Sequence, residues 1–113
     1  MLKTLLGICG ASALSASAAF ASTTTMLSSW YGSYFHGKTT ANGERYNMHG
    51  YTGAHKTLPF GTKLRVCYKG CVEVRINDRG PYISGRELDL SYAAARDIGI
   101  IDSGVANVTV TYL

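Results

Sequence analysis

The chain has 113 residues, enough for one domain and too few for two hydrophobic cores. Hydrophobic residues make up 46%, charged residues 16% and aromatics 11%, with 13 Gly but only 2 Pro, a mix that excludes a disordered or low-complexity chain. The net charge of +4 favours acidic partners, yet no basic run is present, so nucleic acid is not the expected one.

Residues 1–21 read as a secretory leader. Lys3 supplies the positive start, Leu5 to Leu14 is apolar or small and uncharged, and Ala19-Phe20-Ala21 is an A-x-A cleavage site before Ser22. The apolar run is short of the roughly 20 residues of a spanning helix, so no stable membrane span is expected. Leu6-Gly7-Ile8-Cys9 offers a lipid-anchor alternative, but Ile8 is bulky where a small residue must precede the modified Cys. The expected product is an exported domain over 22–113, periplasmic or at the cell wall outside, monomeric and without a cofactor.

Ser22 to Leu27 is Thr-rich and reads as a loose lead-in, followed by a short first strand at Ser28-Ser29-Trp30-Tyr31-Gly32. Gly37 to Gly43 is rich in turn residues, and Tyr46 to His55 reads as irregular, with one helical turn before His55. Thr62 to Cys67 and Val72 to Asn77 both alternate polar and apolar residues, as half-buried strands do. Tyr68-Lys69-Gly70 joins them, with Gly70 suited to a left-handed turn position. Cys67 and Cys71 flank that turn, an even pair in an exported chain, and read as a disulfide; half of a metal site is the alternative.

Asp78-Arg79-Gly80-Pro81 breaks the second of these strands, and Glu87 to Leu90 is a short extended piece. Ser91 is a good N-cap for a helix over Tyr92 to Ile98, and Gly99 a good stop. Val105 to Leu113 reads as a last strand. Many short strands with one helix predict a small, mainly β barrel or sandwich.

The acids beyond the leader are Glu44, Glu73, Asp78, Glu87, Asp89, Asp97 and Asp102. Glu73 alternates with two valines and should face solvent; Asp97 and Asp102 flank the helix end and read as surface charges. Asp78 stands at a strand end, either as a functional group or as a cap on its own turn, and Glu44 is a turn carboxylate with the same two readings. His36, His49 and His55 have spacings that fit no helical ligand pair, so no metal is expected. His55 can orient a reacting group or simply pack. Trp30, Tyr31, Tyr34, Phe35 and Tyr46 are either core or the lining of a sugar-stacking groove.

Five segments in order resemble the rare lipoprotein A family: Ser29 to Gly32, Phe35 to Glu44, Ala54 to Thr62, Val74 to Tyr82 and Gly85 to Ala94. The resemblance covers nearly all of the chain after the leader. It implies a six-stranded double-psi β-barrel with one or two short helices. It further implies endolytic lytic transglycosylase activity on peptidoglycan glycan strands poor in stem peptides. The family's required Glu, His and Asp fall on Glu44, His55 and Asp78. Asp78 is then the acid that protonates the bond between N-acetylmuramic acid and N-acetylglucosamine, and later the base that takes the muramyl C6 hydroxyl proton. Glu44 is the neighbour that would tune it, and His55 an orienting group. Trp30 and Tyr31 are expected to line the glycan site, and Lys56, Arg79 and Arg86 to meet lactyl carboxylates, with Arg79 pointing at substrate. An expansin-like module that binds or loosens polysaccharide is the alternative, and a secreted inhibitor a third reading on barrel analogy.

Overall fold

A computed structural model describes residues 22–113. The expected leader, its expected cleavage site and Cys9 lie outside the described residues. The elements in chain order are β1 (Thr23–Tyr31), a 3-10 turn (Ser33–Phe35), β2 (Thr52–His55), β3 (Lys63–Cys67), β4 (Cys71–Asp78), β5 (Leu88–Ser91), α1 (Tyr92–Ile98) and β6 (Ala106–Tyr112). The strands close into a barrel in the order β1-β5-β2-β4-β3-β6. Two pairs in it are parallel, β1 with β5 and β2 with β4; the rest are antiparallel. Among the described residues no helix is long and apolar enough to cross a membrane.

Two expectations are corrected. The Thr-rich lead-in is strand, because β1 starts at Thr23 and pairs with β6 from Thr23 opposite Thr111 to Ser28 opposite Ala106. β-branched threonines suit a pleated ladder, and β6 supplies a partner edge that local sequence does not reveal. Thr52–His55, expected as irregular chain with a helical turn, is strand β2. It has no alternating pattern, since Thr52, Gly53 and Ala54 are all buried. Neighbours on both sides, β4 and β5, satisfy its backbone and override its weak local preference.

The β3–β4 hairpin forms as expected, with Cys67 opposite Cys71 and a disulfide joining them. Its turn differs in one detail. Tyr68 N–H donates to the Gly70 carbonyl at 2.9 Å, and Gly70 does not take a left-handed backbone. Glycine is required there for space, because a Cβ would lie 2.7 Å from the Asp97 carbonyl oxygen. The disulfide spans only 4 positions, so in the loop-entropy account it contributes about 2 kcal/mol or less. Replacing both cysteines with Ala should lower urea-unfolding stability by that small amount and leave the fold intact. Intact mass before and after reduction and alkylation checks the bond itself.

α1 is capped as expected: Ser91 Oγ accepts from Ala94 N–H at 3.3 Å, and Gly99 ends the helix at φ 88°. Its buried face, Ala94, Ala95 and Ile98, closes one side of a core built from Leu64, Val66, Val74, Ile76, Leu88, Leu90, Val108 and Val110. Leu90 is fully buried in that core. Leu90→Ala should cost about 2–5 kcal/mol, read as a lower denaturation midpoint at unchanged slope.

Candidate active site

Barrel register, rather than sequence proximity, assembles the site. On β4, Gly53 of β2 faces Ile76, but the next pair is Ala54 with Asp78. Asn77 is the extra residue of a β-bulge, and the bulge brings Asp78 into line with Ala54. On its other side Ala54 faces Asp89 of β5, and Asp89 in turn faces Ser29 of β1. A row therefore runs Asp78, Ala54, Asp89, Ser29 across four adjacent strands. With strands about 4.8 Å apart, the two aspartate backbones stand roughly 10 Å apart, with only the Ala54 methyl between them.

Above this row opens a cleft of about 310 Å³. Asp78 and Asp89 face it from its two sides, Ala54 forms its floor, and Tyr31, Tyr46 and Tyr82 supply aromatic walls. A second groove, lined by Trp30, Tyr34, Ile83 and Arg86, continues from it; Tyr31, Phe35, Pro81 and Asp89 line both. Tyr34 and Tyr82 are about three-quarters exposed, so the cleft is edged by open aromatic faces.

Asp78 ends β4, and its Oδ1 accepts two backbone N–H groups, from Ala41 and Arg79, each at 2.9 Å. Among the described residues Oδ2 has no hydrogen-bond partner. One oxygen is thus anchored and the other is offered to the cleft.

Asp89 is mostly buried, and burial pushes its carboxyl up to about 6, with the neighbouring Asp78 charge adding to the shift. Ser29 Oγ donates to Asp89 Oδ1 at 3.0 Å and, with Arg86, opposes the shift. Tyr31 stands close to both aspartates; desolvation and their charges raise its phenol far above the ordinary value, so it stays a neutral donor. Among the described residues its buried hydroxyl has no hydrogen-bond partner.

Glu44 does not line the cleft. Its carboxylate accepts from both terminal nitrogens of Arg75, from Asn42 Nδ2 at 2.7 Å and from Asn77 Nδ2 at 3.2 Å. Those bonds, Arg75 first, hold its carboxyl down at about 2. The place of a second carboxylate beside Asp78, expected for Glu44, belongs to Asp89. Glu44 instead fixes the 40–44 turn to β4, and that turn carries the Ala41 N–H to Asp78. A depressed native pKa adds stability above the unfolded value near 4.5, and that stability is lost as pH falls from there towards about 2. The pair is about two-fifths exposed, so solvent screens it and the gain stays at or under about 1 kcal/mol. Glu44→Gln should flatten this part of the acid-unfolding profile measured by circular dichroism.

His55 ends β2 outside the cleft lining, where its Nδ1 accepts from the N–H groups of Thr57 (3.1 Å) and Leu58 (3.2 Å). That bonding leaves the ring proton on Nε2. Burial lowers its pKa. The His55 carbonyl accepts from Arg79 Nη1 at 3.3 Å. Arg79 does line the cleft, but it does not reach freely toward substrate: its guanidinium lies 3.9 Å over the Phe60 ring. Lys56 is exposed and away from the lining. Trp30 is half-buried, packed against the core and edge-on to Tyr92 at 5.7 Å, with its free side in the second groove beside Arg86. Among the described residues no cluster of His, Cys, Asp and Glu is able to hold a metal ion.

The residue that sequence reasoning passed over is Asp89. The local signal was slight: a charge between Leu88 and Leu90 faces away from the core.

The closed barrel with two parallel pairs and a carboxylate-lined cleft at the strand ends is a double-psi β-barrel. Residues 23–110 match the lytic transglycolase family, and the chain belongs to it. It is 58% identical over 85 residues to the probable endolytic peptidoglycan transglycosylase RlpA of Synechocystis sp., covering 73% of this chain and 26% of that protein. It is 51% identical over 90 residues to the endolytic peptidoglycan transglycosylase RlpA of Helicobacter pylori (strain J99), covering 77% and 29%. The chain thus spans little more than a quarter of these relatives' length. Two solved structures share the fold: Streptomyces papain inhibitor (TM-score 0.66, 22% identity, 81% of this chain and 94% of that one) and a Clavibacter michiganensis expansin (TM-score 0.66, 24% identity, 81% and 50%).

Proposed function

We propose that this domain is exported and cleaves peptidoglycan glycan strands as an endolytic lytic transglycosylase, acting on stretches poor in stem peptides. The observation that carries this reading is the Asp78 carboxyl: one oxygen fixed by two backbone donors and one free, facing an open cleft in a chain of this family. In the reaction Asp78 gives a proton to the oxygen joining N-acetylmuramic acid to N-acetylglucosamine. The C1–O bond breaks through an oxocarbenium-like state. The muramyl C6 hydroxyl then attacks C1, closes a 1,6-anhydro ring and loses its proton to a carboxylate. No water is consumed, so the spacing rule for hydrolase carboxylate pairs does not govern the site.

The aromatic edges suit the flat faces of sugars, and Arg86 in the second groove suits a lactyl carboxylate. Arg86→Ala should raise the concentration of denuded glycan needed for half-maximal cleavage several-fold, with little change in maximal rate. An unchanged concentration dependence would remove Arg86 from the binding site. The proposal as a whole is tested by incubating the exported domain with sacculi stripped of stem peptides and looking for new anhydro ends. Binding without new ends supports an expansin-like role instead.

A further inference from the structure

We propose that Lys38 and Arg86 together read the charge of the glycan, binding free lactyl carboxylates and so selecting strands that have lost their stem peptides. This inference rests on the transglycosylase reading above for the identity of the polymer and adds to it the residues and the physical basis of selection. The basis is a chemical difference between two forms of one polymer. Where a stem peptide is attached, the lactyl carbonyl is an amide and neutral. Where the peptide is gone, the lactyl group ends in a carboxylate. The other groups of the strand, hydroxyls and N-acetyl amides, carry no charge. A cation in the groove meets a counter-charge only in the second form.

Among the described residues the cations that line the two grooves are Lys38, Arg79 and Arg86. Arg79 is occupied: its guanidinium lies over Phe60, and its Nη1 donates to the carbonyls of His55 and Asp78. Lys38 and Arg86 are not. Among the described residues neither side chain forms an ion pair or donates a hydrogen bond. Asp89, whose carboxyl feels the Arg86 charge, is held by Ser29 Oγ instead.

The two cations stand in different grooves. Lys38 lines the cleft that holds Asp78, and its ammonium lies 4.7 Å over the Tyr34 ring, which lines the second groove. Arg86 lines the second groove with Trp30. Tyr31 and Phe35 are common to both. A strand laid along these grooves carries a lactyl group on every second sugar, so two separated cations suit it better than one. Arg86 can take a carboxylate through two parallel N–H donors, Lys38 only as a point charge. Lys38 is exposed and Arg86 partly so. Solvent therefore screens both, each contributes a modest factor, and added salt weakens it.

The test uses the full chain and two substrates, denuded glycan and the same glycan with its lactyl carboxylates converted to primary amides. The amide has nearly the shape of the carboxylate and lacks its charge. Wild type should favour denuded glycan by about 10–100-fold in kcat/KM, carried by KM, and the preference should shrink as salt is added. Lys38→Gln and Arg86→Gln should each reduce that ratio about 3–10-fold, and the double variant should bring it close to one. Lys38→Arg and Arg86→Lys keep the charge and should keep most of the preference; they separate lost charge from lost structure. Equal cleavage of both glycans by wild type, a preference insensitive to salt, or a preference that survives in the folded double variant would each overturn the assignment. Affinities for the two glycans, measured in parallel, should show the same ratios. If wild type makes no anhydro ends on either glycan, the transglycosylase reading fails, and the affinity ratios still decide whether Lys38 and Arg86 read the charge.

Discussion

Asp78→Asn should reduce release of anhydro-ended glycan from denuded sacculi by at least about 10²–10⁴-fold while leaving fold and glycan binding in place. Asn keeps the shape of the side chain, and its oxygen can still accept the N–H groups of Ala41 and Arg79 that now bind Oδ1. Its amide cannot deliver and regain a proton, and a sugar alkoxide is a poor leaving group. Circular dichroism and sacculus pull-down, run beside the cleavage assay, separate lost chemistry from lost structure. A folded Asp78→Asn protein that cleaves near the wild-type rate would remove Asp78 from the mechanism.

The second large effect is expected at Glu44, by a different route. Glu44 does not line the cleft; it joins Arg75 and Asn77 of β4 to the turn that supplies the Ala41 N–H. Glu44→Gln exchanges a charged, multiply bonded acceptor for a neutral one and loosens that turn, so Asp78 loses the Ala41 N–H, one of the two donors that anchor it. We expect about 10–10²-fold lower maximal cleavage rate with little change in glycan affinity. Glu44→Asp keeps the charge but is shorter, and should recover part of the rate. A Glu44→Gln defect that appears only in glycan affinity would instead make Glu44 a substrate contact.

These two residues show how much the sequence discloses. Both were legible as turn carboxylates in motifs that resemble a known family, yet their environments were not. Strict alternation along Val72-Glu73-Val74-Arg75-Ile76-Asn77-Asp78 would set Asp78 on the core face with Val74 and Ile76. The bulge at Asn77 breaks that count and sends Asp78 to the cleft row. A bulge depends on the neighbouring β2 strand, and β2 has no period of its own to read. The hairpin, the helix caps and β6 were legible because each rests on local signals: alternation, Ser91, Gly99. Asp89 was visible only as an acid in a short extended piece, since its partners Ala54 and Ser29 lie far from it in sequence. Arg75, the partner that occupies Glu44, carried no mark beyond its place in an alternating strand.

The most direct test of the central claim is mass spectrometry of the products formed by the domain over residues 22–113 from purified, stem-peptide-free glycan. Intramolecular ring closure predicts new chain ends of 1,6-anhydro-N-acetylmuramic acid, each lighter by one water than a hydrolysed end and carrying no solvent oxygen when the reaction runs in ¹⁸O-water. Products that are a full water heavier and labelled with ¹⁸O would contradict the account, because they would show a hydrolase using this cleft.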